Sequence, residues 1–218
     1  MKASIISISG QRTADNRDAL FAELNHGIAL YMLVDGSSSR AQSGEFAKHL
    51  VESIKHGFQA LTPEQVSSSK IKETLIGLLK VSQQQARQAY PAASASLNMV
   101  AITGSVALTV YLGDCLLGRL NKRQKIKWLT QPHCSQGHIE IEKLALIPER
   151  NLLTKSVKSR RFESPQWKVL ALKNNQKLLL ASDGFWADLT PCEQLEFIQT
   201  KQLHVAPGDD TSFMLIEQ

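Results

Sequence analysis

The sequence predicts an α+β fold in which antiparallel strands form hairpins and the helices are segregated rather than interleaved with strands. Apolar runs of strand length lie at both ends of the chain, over 3–8, 28–34 and Thr211–Ile216. Two neighbouring segments between them switch to a helical period. After Pro91, short apolar runs separated by turn sequences dominate.

The opening stretch, Met1–Gly10, is too short and too polar for a signal peptide and reads as a first strand over 3–8. An acidic loop over 10–18 and a short strand near 19–23 precede the run 28–34. From Ser43 onward, Phe46, Leu50, Ile54 and Phe58 recur every four residues, with Ala47 and Val51 beside them, which makes one face of an amphipathic helix. Thr62-Pro63-Glu64 offers a cap and an early proline for a second helix, with Ile71, Leu75, Leu78, Leu79 and Ala86 on its buried side. Met99–Thr103 and Val106–Leu112 flank Gly104-Ser105, a hairpin signal. Cys115–Leu120 and Lys125–Leu129 read as a second hairpin, and 131–165 as irregular and mostly polar. Trp167–Leu172 and Lys177–Ser182 are expected to pair across Lys173-Asn174-Asn175-Gln176. Pro191–Thr200 is a short helix with Thr190 at its cap, and Thr211–Ile216 is a last strand. No linker, repeat or low-complexity tract interrupts 1–218, so a single domain is expected.

The 218 residues are 43% apolar, enough for a sizeable core. No run approaches the roughly 18 apolar residues of a membrane span. A cytoplasmic protein with no membrane partner is therefore expected. The three cysteines, Cys115, Cys134 and Cys192, form no CxxC pair, and an odd count argues against a disulfide framework or a zinc site. Net charge is +5, but the basic residues are scattered and lack an aromatic–basic stripe, so nucleic acid is not an expected partner. The dense runs are Asn121–Lys127 and Lys155–Arg161. Each reads as a solvated surface, and the second is also a candidate for holding an acidic or phosphorylated partner.

Chemistry concentrates in four acidic stretches: Asn16-Arg17-Asp18, Val34-Asp35-Gly36, Ala181-Ser182-Asp183-Gly184 and Gly208-Asp209-Asp210-Thr211. Asp35, Asp183 and Asp209 adjoin apolar runs. A carboxylate at the rim of a buried strand is costly unless something pairs with it. Carboxylates gathered at one rim repel each other, and a hard divalent cation relieves the repulsion. A magnesium or manganese site follows, and with it hydrolysis or transfer of phosphate. Alone, Asp35-Gly36 and Asp183-Gly184 are ordinary turn dipeptides. His133 and His138 lie in a polar loop with nothing to pair them at ligand spacing, and read as structural. No Cys-x5-Arg or Asp-x-Asp arrangement supports a thiolate or aspartyl-phosphate mechanism.

Taken in order, these stretches resemble the metal-dependent type-2C protein serine/threonine phosphatases. Val110-Tyr111-Leu112-Gly113-Asp114 resembles the family's Val-Gly-Asp hairpin element, and Leu129–His133 and Asn151–Thr154 echo two further segments. Leu179–Trp186 is close to its most distinctive string. The resemblance implies two antiparallel sheets in a sandwich flanked by helices. It implies two Mn2+ or Mg2+ ions and a weaker third, with Asp35 bridging two ions, the Gly36 carbonyl on one, and Asp183 and Asp209 on the other. Asp114 would help recruit the third ion, and Asp18 would orient the site from behind the ligands. Arg12 would grip the substrate phosphate, a bidentate task suited to guanidinium. Together these residues would hydrolyse phosphoserine or phosphothreonine with a water activated by two metals, on a phosphoprotein modified by a serine/threonine kinase. The alternative is a weak or inactive phosphatase-like module that binds a partner or a phosphorylated segment.

The chain departs from the family pattern in places. Arg17 stands where a metal-associated Glu is usual, and a cation there is expected to weaken ion binding. Ser37-Ser38-Ser39 replaces a glycine-rich continuation, and Ala93–Ser96 replaces a Gly-Ser/Thr-Thr stretch.

Overall fold

The computed structural model describes residues 2–121 and 123–217; Lys122 of the first basic run lies outside them. Elements follow in the order β1 (Lys2–Ile8), β2 (Asp18–Asn25), β3 (Ile28–Gly36), α1 (Ser43–Gln59), α2 (Ile71–Ala86), β4 (Ser94–Thr103), β5 (Val106–Leu112), β6 (Leu116–Leu120) and β7 (Ile126–Trp128). The second half contains α3 (Ile141–Leu144), a 3-10 turn (Pro148–Asn151), β8 (Val157–Lys158), β9 (Gln166–Ala171), β10 (Lys177–Ala181), α4 (Asp183–Trp186), α5 (Pro191–Thr200) and β11 (Thr211–Glu217). One sheet has the order β2-β3-β4-β5-β9, with β8 added beside β4, and the other has β1-β11-β10-β6-β7. Every pairing is antiparallel.

Strand alternation sorts the apolar residues into three cores and so stacks four layers. On β3, Leu30, Met32 and Val34 face the helices α1 and α2, where they meet Phe46, Leu50, Ile54 and Leu75. Tyr31 and Leu33 face the other way, between the sheets, against Leu180, Met214 and Ile216. Leu179, Ala181, Phe213 and Leu215 leave the second sheet on its far face and meet Phe185, Phe197 and Ile198. The predicted sandwich with flanking helices is the observed architecture.

Turn chemistry sets the hairpins. His26 and Gly27, at φ 46° and 80°, join β2 to β3 with both central residues left-handed, the geometry that matches strand twist. Gly104 at φ 54° joins β4 to β5 at the expected place. Thr190 opens α5 with a capping box, accepting from the Glu193 amide while Glu193 accepts from the Thr190 amide.

Three expectations are corrected. The second helix begins at Ile71, not at Thr62; 62–70 is a chain of turns whose bonds include Val66 N–H to the Thr62 carbonyl at 3.2 Å and Lys70 N–H to the Ser67 carbonyl at 2.9 Å. Ser67-Ser68-Ser69 explains the delay, because serine hydroxyls compete with helical backbone bonds. The fourth strand starts at Ser94, before Met99, since its pairing with Gly36 and Asp35 recruits small residues that carry little strand signal of their own. Trp167–Leu172 and Lys177–Ser182 do not pair. β9 lies beside β5 at the edge of the first sheet, and β10 lies between β11 and β6 in the second. Burial decides this: β10 is covered on both faces and needs a central place, whereas β9 is mostly exposed and suits an edge.

Phe185, Phe197 and Phe213 form an aromatic trio under the second sheet, with ring centroids 5.0 to 6.2 Å apart. Phe213→Ala should cost about 3–5 kcal/mol in urea unfolding, the range for a buried aromatic. Leu24→Ala, at a side chain 66% exposed, should cost a small fraction of that.

Candidate metal centre

Both sheets end their chemistry at one rim. Asp18 opens β2 and sits directly opposite Asp35 near the end of β3. Asp35 shares its face with Tyr31 and Leu33, so alternation turns it toward the space between the sheets. Asp183 follows the end of β10, and Asp209 precedes β11. Those two ends are stitched together by Ser182, whose amide donates to the Ser212 carbonyl at 3.1 Å and whose hydroxyl accepts from the Ser212 amide at 3.0 Å. Asp114 comes from the tight turn after β5.

The structure brings Arg12, Asp35, Asp114, Asp183 and Asp209 to the wall of one cavity of about 330 Å³. Ser37, Ser38 and Ser39 form part of the same wall. Asp18 stands behind Asp35, 7% exposed, with no hydrogen-bond partner for either carboxylate oxygen. The Ser182 and Ser212 hydroxyls nearby, which ease its charge, are directed elsewhere, Ser212 to the Ser7 hydroxyl at 2.7 Å. The Gly36 amide donates to the Arg17 carbonyl at 3.1 Å, and a Cβ at Gly36 would collide with the backbone of Ser43, so only glycine fits between β3 and α1.

The Asp114 turn is braced from three sides. The Asp114 amide donates to the Ser96 hydroxyl at 3.1 Å, the Gly113 amide to His133 Nδ1 at 2.9 Å, and the Trp186 indole to the Asp114 carbonyl at 2.9 Å. Gly113 has φ 102°, and a side chain there would strike Ser96. His133 is buried, stacks on Tyr111 at 5.3 Å, and has its pKa lowered by burial, so it serves as a neutral brace. The structural reading of His133 holds, and its partner is the very turn that carries Asp114.

Asp210 has a separate task. It accepts from the Gly10 amide and from the Arg17 amide, each at 2.7 Å, and so ties the first rim loop to the last strand. Two acceptor oxygens are needed for two amides, which a carboxylate supplies and an amide side chain does not.

Two arginines reach the carboxylates. Arg12 pairs with Asp209 at 2.5 Å and lies 3.9 Å from Asp188. Arg150, 9% exposed on the 3-10 turn, pairs with Asp188 at 2.5 Å and lies 3.7 Å from Asp183. Neither Arg150 nor Asp188 stood out in the sequence, because ion pairs across such separations leave no local pattern. Arg17 is not part of the cavity wall. Its guanidinium donates to the Ser37 carbonyl at 2.9 Å and the Arg40 carbonyl at 3.0 Å. In this position Arg17 holds the 37–40 loop.

Burial first, and then mutual repulsion, push the carboxyl groups upward. Asp35 and Asp183 lie well above the ordinary carboxylate range, Asp114 is raised, and Asp18 is pushed up to about 8. The buried Cys115 thiol beside them is also pushed up, so it is neither a soft ligand nor a nucleophile. The donor set is all hard oxygen, which suits magnesium or manganese. An orphaned buried carboxylate and several that resist ionisation fit an absent cation. Among the described residues, however, no three His, Cys, Asp or Glu side chains converge closely enough to hold an ion as they stand. Arg12 and Arg150 are the counter-charges in place.

The sign of the Asp18 shift makes a prediction. The unfolded carboxyl releases its proton near 3.8, the folded one near 8. The Asp18 contribution to the stability of the metal-free protein should therefore be lost as pH rises between those values, alongside losses of the same sign from Asp35, Asp114 and Asp183. Thermal melts in chelator should show a fall with rising pH, and Asp18→Asn should lessen it.

A sequence profile of the protein phosphatase 2C family matches residues 10–212. The protein phosphatase PhpP of Streptococcus pneumoniae is 22% identical over 97% of this chain and 89% of its own length. The crystal structure of the serine/threonine phosphatase Stp1 from Staphylococcus aureus superposes with a TM-score of 0.86 at 20% identity, covering 100% of this chain and 94% of that one. The catalytic domain of PstP, crystallised in complex with two manganese ions, superposes with a TM-score of 0.74 at 16% identity, covering 98% of this chain and 96% of that one. The chain belongs to the protein phosphatase 2C family of protein serine/threonine phosphatases.

Proposed function

We propose that this chain hydrolyses phosphoserine and phosphothreonine in phosphoproteins, opposing a serine/threonine kinase. The observation that carries this reading is the shared cavity, where four aspartates from distant segments face one arginine. Asp35, Asp183 and Asp209, with the Gly36 carbonyl and Asp114, would hold Mn2+ or Mg2+, two ions and a weaker third. The manganese in the PstP structure supports that choice of cation. Such ions, when bound, supply charge neutralisation at the phosphate and a more acidic water.

The residues of the chain do the rest. Arg12 already lies in the cavity wall, partly exposed and paired with Asp209. Exchanging that carboxylate for a phosphate would give it a bidentate partner and free Asp209 to ligate. Asp18 would fix Asp35 from behind. The bracing of the Asp114 turn by Ser96, His133 and Trp186 sets where that carboxylate can reach. Water attacks phosphorus in line, the bond to the seryl or threonyl oxygen breaks, and that oxygen leaves with a proton. The buried Cys115 thiol takes no part.

A second reading, a phosphatase-like module that binds without turnover, draws on the lack of three convergent ligands among the described residues. Manganese titration with a small aryl phosphate separates the two. Turnover should rise with manganese, vanish in chelator and survive alkylation of thiols. Inactivation by alkylation with the fold intact would sink the reading. The same assay ranks the ligands. Asp35→Asn should remove several kcal/mol of transition-state stabilisation, the scale of a lost Lewis acid. Asp114→Asn should mainly raise the manganese concentration required, and equal losses would contradict these roles.

A further inference from the structure

A second cavity, of about 730 Å³, adjoins the first and shares Ser37, Ser39, Ser94, Asn151, Leu153 and Ser156 with it as a common wall. The charge changes sign across that wall. The first cavity is lined by four aspartates, whereas the second is lined by Arg40, Lys158 and Arg160 and by no carboxylate. All three cationic side chains belong to exposed residues. Among the described residues, Arg40 and Arg160 enter no ion pair, and Lys158 reaches only Glu163, at 3.8 Å. The wall also holds Ser159, 2% exposed, whose hydroxyl has no hydrogen-bond partner.

These cations stand on fixed backbone. Arg17 clamps the Ser37 and Arg40 carbonyls. β8 pairs with β4, placing Lys158 opposite Ser94. Gln83 of α2 donates to the Lys158 carbonyl, and the Ser159 amide donates to the Ala93 carbonyl at 3.2 Å. A solvated charge run would have no such seating, and two segments far apart in sequence would have no reason to bring their cations to one groove.

We propose that this groove binds an acidic stretch of the phosphoprotein flanking the phosphorylated residue, so that the enzyme selects phosphosites with carboxylates or further phosphates nearby. The proposal rests on the phosphatase reading of the adjoining cavity. Charge complementarity identifies the occupant. Arg40 and Arg160 offer guanidinium forks to carboxylate or phosphate.

The test uses the full-length, manganese-loaded chain with two phosphothreonine peptides, one with Asp and Glu flanks and one with those residues changed to Asn and Gln. The acidic peptide should show about tenfold higher kcat/KM, carried by KM and eroded by salt, the behaviour of an exposed electrostatic contact. The double variant Arg40→Ala, Arg160→Ala should bring the two peptides level while leaving aryl phosphate turnover unchanged. Arg160→Glu should reverse the preference. Equal rates for the two peptides on the unaltered protein, or a preference that survives the double variant, would overturn the proposal. Fluorescence anisotropy of the same labelled peptides keeps the two readings apart. Loss of aryl phosphate turnover with acidic-peptide binding intact would refute catalysis and leave the groove standing, whereas turnover without preference would do the reverse.

Discussion

The structure is organised around an electrostatic conflict: buried and half-buried carboxylates from five segments converge on one rim and repel each other. Burial raises the pKa of Asp18, Asp35, Asp114 and Asp183, and each feels at least one of the others or Asp209. No local element tolerates this by itself. The two sheets supply the tolerance, because three apolar cores hold β3, β10 and β11 in place whatever the rim does. The arginines Arg12 and Arg150 then bring cations to the acidic face, and Asp188 links them. A rim held under repulsion by a rigid scaffold carries a cost that folding has already met, and that cost is what the proposed cation would relieve.

What could be read from the sequence follows the range of the interactions. The face of α1 was legible because Phe46, Leu50, Ile54 and Phe58 repeat within a single helix. The strand β3 was legible because an unbroken apolar run ends in Asp35-Gly36. The gathering of Asp35, Asp183 and Asp209 was expected from carboxylates at the ends of apolar runs and that of Asp114 through the order of motifs, and the cavity places all four in one wall. Pairing was harder. Lys173–Gln176 has the length and composition of a hairpin loop, yet it crosses from one sheet to the other, because the burial of β10 on both faces outweighs proximity in sequence. Arg150 and Asp188 were missed for the same reason. Each acts across a long sequence gap, whereas Asp210 and His133 stood in stretches the sequence marked and only their partners were out of reach.

Arg17, where the family pattern has a metal-associated Glu, lies outside the acidic cavity wall and donates to backbone carbonyls. A cation beside aspartates suggests repulsion of ions, but the guanidinium turns away and collects backbone carbonyls of the 37–40 loop. The clamp adds to the bonds of the serines that replace a glycine-rich continuation, the Ser37 amide to the Ser94 carbonyl at 3.0 Å and the Ser37 hydroxyl with that of Ser39 at 3.0 Å. One substitution thus supports another. The clamp stabilises a serine-lined wall, and that wall is shared by the acidic cavity and the basic groove. Acidic residues on one side attract cations, and basic residues on the other attract anions, so the field changes sign across the shared wall. The fold needs both ends of that gradient fixed. β8 fixes the basic end through β4, the same strand that fixes the acidic end through Asp35 opposite Ser96. Lys158 and Asp35 thus both lie beside β4, opposite Ser94 and Ser96, which fixes the spacing between one cation of the groove and one carboxylate of the cavity.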